Sequence, residues 1–112
     1  MPILTADYSN LDHEKMASGI GLKSKHIPML IGSFTDESAS IMKNLRDAID
    51  ANDFTNIKMH AHSIKGSAGN LKFSEVYEMA KEMELSAMNE KSDFDYLSYF
   101  EAINKAISTI KV

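Results

Sequence analysis

The chain has 112 residues, 44% of them hydrophobic and 25% charged, so it is long enough for one packed core and too apolar to remain disordered. Its net charge of −4 argues against a nucleic-acid or polybasic membrane partner, which would want clustered Lys and Arg. Zero Cys excludes disulfides, thiolate nucleophiles and cysteine-held zinc or iron–sulfur sites, and the longest apolar run, Ile27 to Ile31, is far short of the ~20 residues of a membrane span.

Residues 1–112 carry no repeat, linker or low-complexity tract, and the start, Met1 to Asp7, shows no basic segment leading into an apolar run. A cytoplasmic, single-domain, all-α protein is expected, and helical stripes account for nearly all of it. Ser9 with Asp12 three later resembles a capping box for a short first helix, which Gly19 and Gly21 stop; Leu11, Ala17, Ile20 and Leu22 should face inward. Gly19-Ile20-Gly21-Leu22-Lys23-Ser24 faintly echoes a phosphate-binding loop, but it lacks the full glycine spacing and a preceding strand, so it is read as this helix stop. A long second helix is predicted from Ser24 to Ala51, with Ile27, Leu30/Ile31, Phe34, Ile41, Leu45 and Ala48/Ile49 inward. Pro28 falls in its first turn, where N–H groups lack partners anyway, and the polar stretch Thr35 to Ser38 leaves a break open.

Asp53 caps a third helix with a regular stripe of Phe54, Ile57, Ala61, Ile64, Ala68 and Leu71. A fourth, from Ser74 to Met88, buries Val76, Met79/Ala80, Met83 and Ala87. Ser92, with Asp95 three later, is expected to cap a fifth that buries Leu97, Phe100, Ile103, Ile107 and Ile110. Short connections force consecutive helices antiparallel. The expected architecture is an up-and-down antiparallel four-helix bundle with a short extra N-terminal helix across one end.

Chemistry concentrates in His60-Ala61-His62-Ser63-Ile64-Lys65-Gly66-Ser67-Ala68-Gly69. At about 100° per residue, His62 lies roughly 130° from the core direction and projects into solvent, with Gly66 within about 40° of it and Gly69 within about 20°. Lys58 and Lys65 flank the same face. A glycine inside a helix costs about 0.5–1 kcal/mol relative to Ala, so two of them beside an exposed His suggest that something approaches the backbone there. The two lysines suggest that it is anionic. An imidazole with a reference pKa of about 6.5 is largely unprotonated near neutrality and can attack an electrophile. Met59, also outward, is a candidate partner contact, whereas Met42, Met79 and Met83 occupy core positions.

His60 lies about 70° from the core on the opposite flank and is read as a boundary packing residue. It stands about 200° from His62, so the two cannot hold one ion, and no metal site is expected. Glu82, Glu84, Glu90 and Lys91 are read as a solvated face.

Ala61-His62-Ser63-Ile64-Lys65-Gly66-Ser67-Ala68 resembles the motif of the histidine-containing phosphotransfer (HPt) family of bacterial phosphorelays, Ala-His-x-hydrophobic-Lys-Gly followed by small residues. Leu71 and the Glu82–Glu84 region also fit, and the likeness extends from about Leu11 to Ile110. One departure is Lys72-Phe73, where the family often has a Gly after the Leu. The resemblance implies a helical bundle in which His62 accepts a phosphoryl group from a receiver-domain phospho-aspartate and passes it to another receiver. It implies that Lys65 offsets phosphoryl charge and that Gly66 and Gly69 leave room for the receiver to dock; Lys58 and Met59, outward on the wheel, are expected to belong to the same docking face. The implied partners are response-regulator receivers or a hybrid histidine kinase, with Mg²⁺ supplied by the receiver and no cofactor or ATP site in this chain, which would act as a monomer. The alternative is a bundle of the same ancestry that only binds a receiver or kinase; an intact His62 and Lys65 favour the first reading.

Overall fold

The computed structural model describes residues 2–111. Five α-helices follow one another: α1 (His13–Ile20), α2 (Ile27–Asp50), α3 (Phe54–Asn70), α4 (Ser74–Met88) and α5 (Tyr96–Ser108), with a 3-10 turn, Ser24–His26, leading into α2. The described residues contain no strand. Helices α2 to α5 each pack on the next, and α5 packs back on α2, which closes an antiparallel four-helix bundle; α1 and the 3-10 turn lean on α2. This is the expected architecture.

Helix α1 begins later than its sequence suggests. The side chain of Asp12 accepts the Lys15 N–H at 3.1 Å and is the cap, whereas Ser9 lies in a bend and donates its own N–H to Asp7. Gly21, at φ 73°, ends the helix in the left-handed region, and beyond it the wheel no longer applies, so Leu22 is exposed instead of inward.

Helix α2 does not break at Thr35 to Ser38. Ser38 takes the core position between Phe34 and Met42 and donates its hydroxyl to the Thr35 carbonyl at 3.1 Å, so its burial leaves no unpaired group. Its first three residues form the 3-10 turn, and Pro28 sits in the opening turn of the α-helix proper.

Helix α4 has the predicted bounds and buries the predicted residues. Helix α5 differs in both start and face. Asp95, not Ser92, is the cap, accepting the Ser98 N–H at 3.1 Å. The buried residues are Tyr96, Tyr99, Ala102, Ile103 and Ala106, while Leu97 is exposed and Phe100, Ile107 and Ile110 lie at the edge. The two tyrosines decide the rotation. Each buries its ring against Phe94, at 4.8 and 4.5 Å between centroids, and Tyr96 donates its hydroxyl to the Lys91 carbonyl. Ala102 and Ala106 then let the helix approach closely.

Four helix ends share one device. A residue in the left-handed region (Gly21, Asn52, Lys72, Glu90) precedes one whose N–H reaches the carbonyl five residues back: Leu22 to Ala17, Asp53 to Ala48, Phe73 to Ala68 and Lys91 to Ser86, each at 2.9 Å. Only the first of the four uses glycine.

The segment before α1, whose packing its sequence did not signal, is fastened to the bundle. Ala6 and Tyr8 are buried, the Tyr8 ring stacks on Phe73 at 4.5 Å, and its hydroxyl donates to Glu75 at 2.9 Å. No helix among the described residues is long and apolar enough to cross a membrane.

Candidate functional site

Asp53 fixes the start of α3 by accepting the Asn56 N–H, and the buried stripe Ile57, Ala61, Ile64 and Ala68 fixes its rotation. The residues between stripe positions follow from that. His62 projects outward with its side chain 67% exposed, and Lys58 and Met59 are exposed one turn before it. His60 lies on the other flank, half-buried, in a cleft shared with Asn44, Asp47 and Asn56. The two histidines therefore look into different surroundings, as their spacing requires.

The two glycines separate. A Cβ on Gly66 would meet nothing within 4 Å, so the helix backbone beside His62 is open to an incoming surface. Gly69 does not share that openness, contrary to its position on the wheel. A Cβ there would stand 3.2 Å from Tyr77 Cδ2 on α4, because the neighbouring helix leans over this turn.

A carboxylate read from sequence as solvated completes the site. Glu84 on α4, its side chain only 16% exposed, places Oε2 at 2.7 Å from His62 Nδ1 and Oε1 at 2.6 Å from Lys65 Nζ. Burial pushes its carboxyl up, but the hydrogen bonds from Lys65 and His62 outweigh this and hold it below the usual carboxylate value. The hydrogen bond to Glu84 in turn holds Lys65 above its ordinary value, against desolvation. An ionised carboxylate only accepts, so the proton facing it is on Nδ1 and the ring donates from there. In the neutral ring this leaves the lone pair on Nε2, the nitrogen away from Glu84.

Lys65 was expected to face the incoming anion. Its ammonium is instead engaged by Glu84, and its side chain is 24% exposed. A signal for Glu84 did exist in the short connection after α3. Across an antiparallel pair, residues equidistant from the turn face each other, and His62 with Glu84, like Gly69 with Tyr77, is centred on Phe73.

The family model for the Hpt domain matches residues 29–111, well over half of the chain. No curated protein and no solved structure matched it. The chain belongs to the Hpt domain family, whose members carry phosphoryl groups in two-component signalling and interact there with receiver domains and kinases.

Proposed function

We propose that this chain is a phosphorelay intermediate in which His62 Nε2 takes a phosphoryl group from the phospho-aspartate of one receiver and yields it to the aspartate of another. One observation carries the reading: an exposed imidazole whose Nδ1 is held by a carboxylate, leaving Nε2 with its lone pair toward solvent. In the forward step the Nε2 lone pair forms the N–P bond as the acyl P–O bond breaks, and the receiver's aspartate leaves as a carboxylate. The positive charge that develops on the ring is met at Nδ1 by Glu84. Lys65, one turn away, acts through Glu84, whose other oxygen its ammonium holds, and its positive charge lies near the site of transfer without contacting the phosphoryl group. The receiver supplies Mg²⁺ and the acidic residues that bind it, so this chain needs neither a cofactor nor an ATP site.

Gly66 leaves the backbone clear for the receiver, with Lys58 and Met59 at the edge of the same face. Gly69 contributes by clearing its own Tyr77 rather than by touching a partner. On this reading residues 1–112 act as one unit, a monomeric carrier exchanging with cytoplasmic receivers or with a hybrid kinase. A purely binding role would require no nucleophile, and none of the geometry at Nε2.

The test is phosphorylation by a labelled receiver. Wild-type protein and His60→Gln should acquire label that is stable to alkali and lost in acid, as a phosphoramidate is. His62→Gln should acquire none while keeping its helical content and melting temperature, since the ring packs against little. Label retained in His62→Gln and lost in His60→Gln would overturn the assignment.

A further inference from the structure

On α3, Gly69 and His62 are seven residues apart and so fall within about 20° of each other around the helix; on α4, Tyr77 and Glu84 stand in the same relation. The two rows face one another, Tyr77 against Gly69 and Glu84 against His62. Lys65 lies between Gly69 and His62, and thus opposite the span from Tyr77 to Glu84. The clearance at Gly69 is real. Its missing Cβ would stand 3.2 Å from Tyr77 Cδ2 and 3.5 Å from Cε2, while the same atom at Gly66 would touch nothing. The Tyr77 phenol is also near enough to Lys65 that its charge, when ionised, raises the Lys65 pKa further.

An ion pair made by a free lysine on a helix surface contributes little, because the long stem samples many rotamers and water competes for both charges. The Lys65–Glu84 pair is not of that kind: both side chains are mostly covered, and the pair is 2.6 Å long. Something must restrict the Lys65 stem. We propose that Tyr77 is a positioning residue for the transfer: its ring, admitted against α3 by the absence of a side chain at Gly69, walls the Lys65 stem, so that the ammonium stays on Glu84 and Glu84 stays on His62 Nδ1. The ring does this and the hydroxyl does not, since Lys65 is charged at neutral pH whether or not a phenol is near it. By this route the choice of residue two turns from His62 sets which imidazole nitrogen is free to attack. The rate consequence rests on the proposed phosphotransfer; the effect on the imidazole does not.

Nitrogen-15 NMR of the unphosphorylated chain, at a pH alkaline enough that the His62 ring is neutral, reads its tautomer without any partner. Wild type and Tyr77→Phe should both show Nδ1 protonated. Tyr77→Ala should show a mixture of tautomers, and so should Gly69→Val, whose branched side chain cannot share its space with the ring. In single-turnover transfer from a phosphorylated receiver, Tyr77→Ala should lower the maximal rate about 10-fold, the scale expected for losing an orienting contact, with the half-saturating receiver concentration unchanged. Tyr77→Phe should stay within about twofold of wild type. If Tyr77→Ala does not fold, as judged by its helical circular dichroism, Gly69→Val carries the test alone.

A wild-type tautomer signal in whichever of the two variants folds would overturn the proposal. So would a rise in half-saturating concentration with the tautomer unchanged, which would make Tyr77 a receiver contact, or a Tyr77→Phe defect as large as that of Tyr77→Ala. A shifted tautomer in the variants, with a wild-type protein that no phosphorylated receiver labels, would leave the positioning role standing and remove the phosphotransfer reading.

Discussion

Glu84 on α4 grips His62 on α3 by Nδ1, at 2.7 Å, from a position 22 residues away in the chain. The ring is otherwise exposed, so this contact is the main constraint on its orientation. Replacing Glu84 by Ala should leave the nucleophile present but unoriented, with transfer slowed about 10-fold. Gln offers a carbonyl that can still accept from Nδ1–H, so Glu84→Gln should lose less than Glu84→Ala. Single-turnover transfer from a phosphorylated receiver measures both. Equal losses in the two variants would mean that the negative charge of Glu84 matters and its acceptor geometry does not.

Gly66 should show opposite signs for stability and activity. With open space where its Cβ would be, Gly66→Ala should stabilise the isolated bundle by about 0.5–1 kcal/mol. The added atoms stand on the proposed docking face, so transfer should slow, more in Gly66→Gln than in Gly66→Ala. Urea denaturation and transfer kinetics on the same preparations give the comparison. A Gly66→Gln protein that is more stable and transfers at full speed would remove Gly66 from the docking face.

The turn between α3 and α4 carries strain that glycine would relieve. Lys72 has φ 63°, a region where a Cβ crowds the backbone at a cost of roughly 1–2 kcal/mol. Lys72→Gly removes that crowding but frees the unfolded chain, and the balance should favour the folded state by up to about 1 kcal/mol. The backbone bond from the Phe73 N–H to the Ala68 carbonyl does not involve the side chain and should persist. Thermal melting tests this. A lower melting temperature in Lys72→Gly would show that the Lys72 side chain makes a contribution larger than the strain.

Acid should weaken the bundle partly through Glu84. Its pKa in the folded chain lies below the ordinary 4.5, so the stability it confers is fully present above the unfolded value and is lost as pH falls through the folded one. For Lys65 the sign reverses: its pKa is raised above 10.5, so its share is present below that value and lost as pH rises through the folded one. The stability difference between wild type and Glu84→Gln should therefore be largest on the plateau between these limits and shrink at pH ~3. Urea midpoints at the two pH values provide the check. A difference that stays constant into acid would mean that Glu84 acts through packing alone.

Periodicity and local chemistry were enough to place α3 and α4 and to turn His62 outward, because a helix that repeats every 3.6 residues converts a buried stripe directly into the positions of everything else on it. The same logic separated His60 from His62. It failed on α5, where the aliphatic residues Leu97, Ile107 and Ile110 looked like the core but Tyr96 and Tyr99 took that place, since burying a tyrosine ring depends on a hydroxyl partner such as the Lys91 carbonyl that only the folded chain supplies. The buried Ser38 and the fastening of Tyr8 to Glu75 are of the same kind, polar groups whose burial is decided by partners elsewhere. At the site, the amino-acid sequence by itself singled out His62 as the exposed histidine proposed as nucleophile, with open backbone beside it at Gly66. Only the packing of α4 on α3 decided which of its nitrogens is free, where Lys65 points and why Gly69 is a glycine, because Glu84 and Tyr77 come to those residues through the register of two helices about the turn at Phe73, which the wheel of α3 alone does not contain.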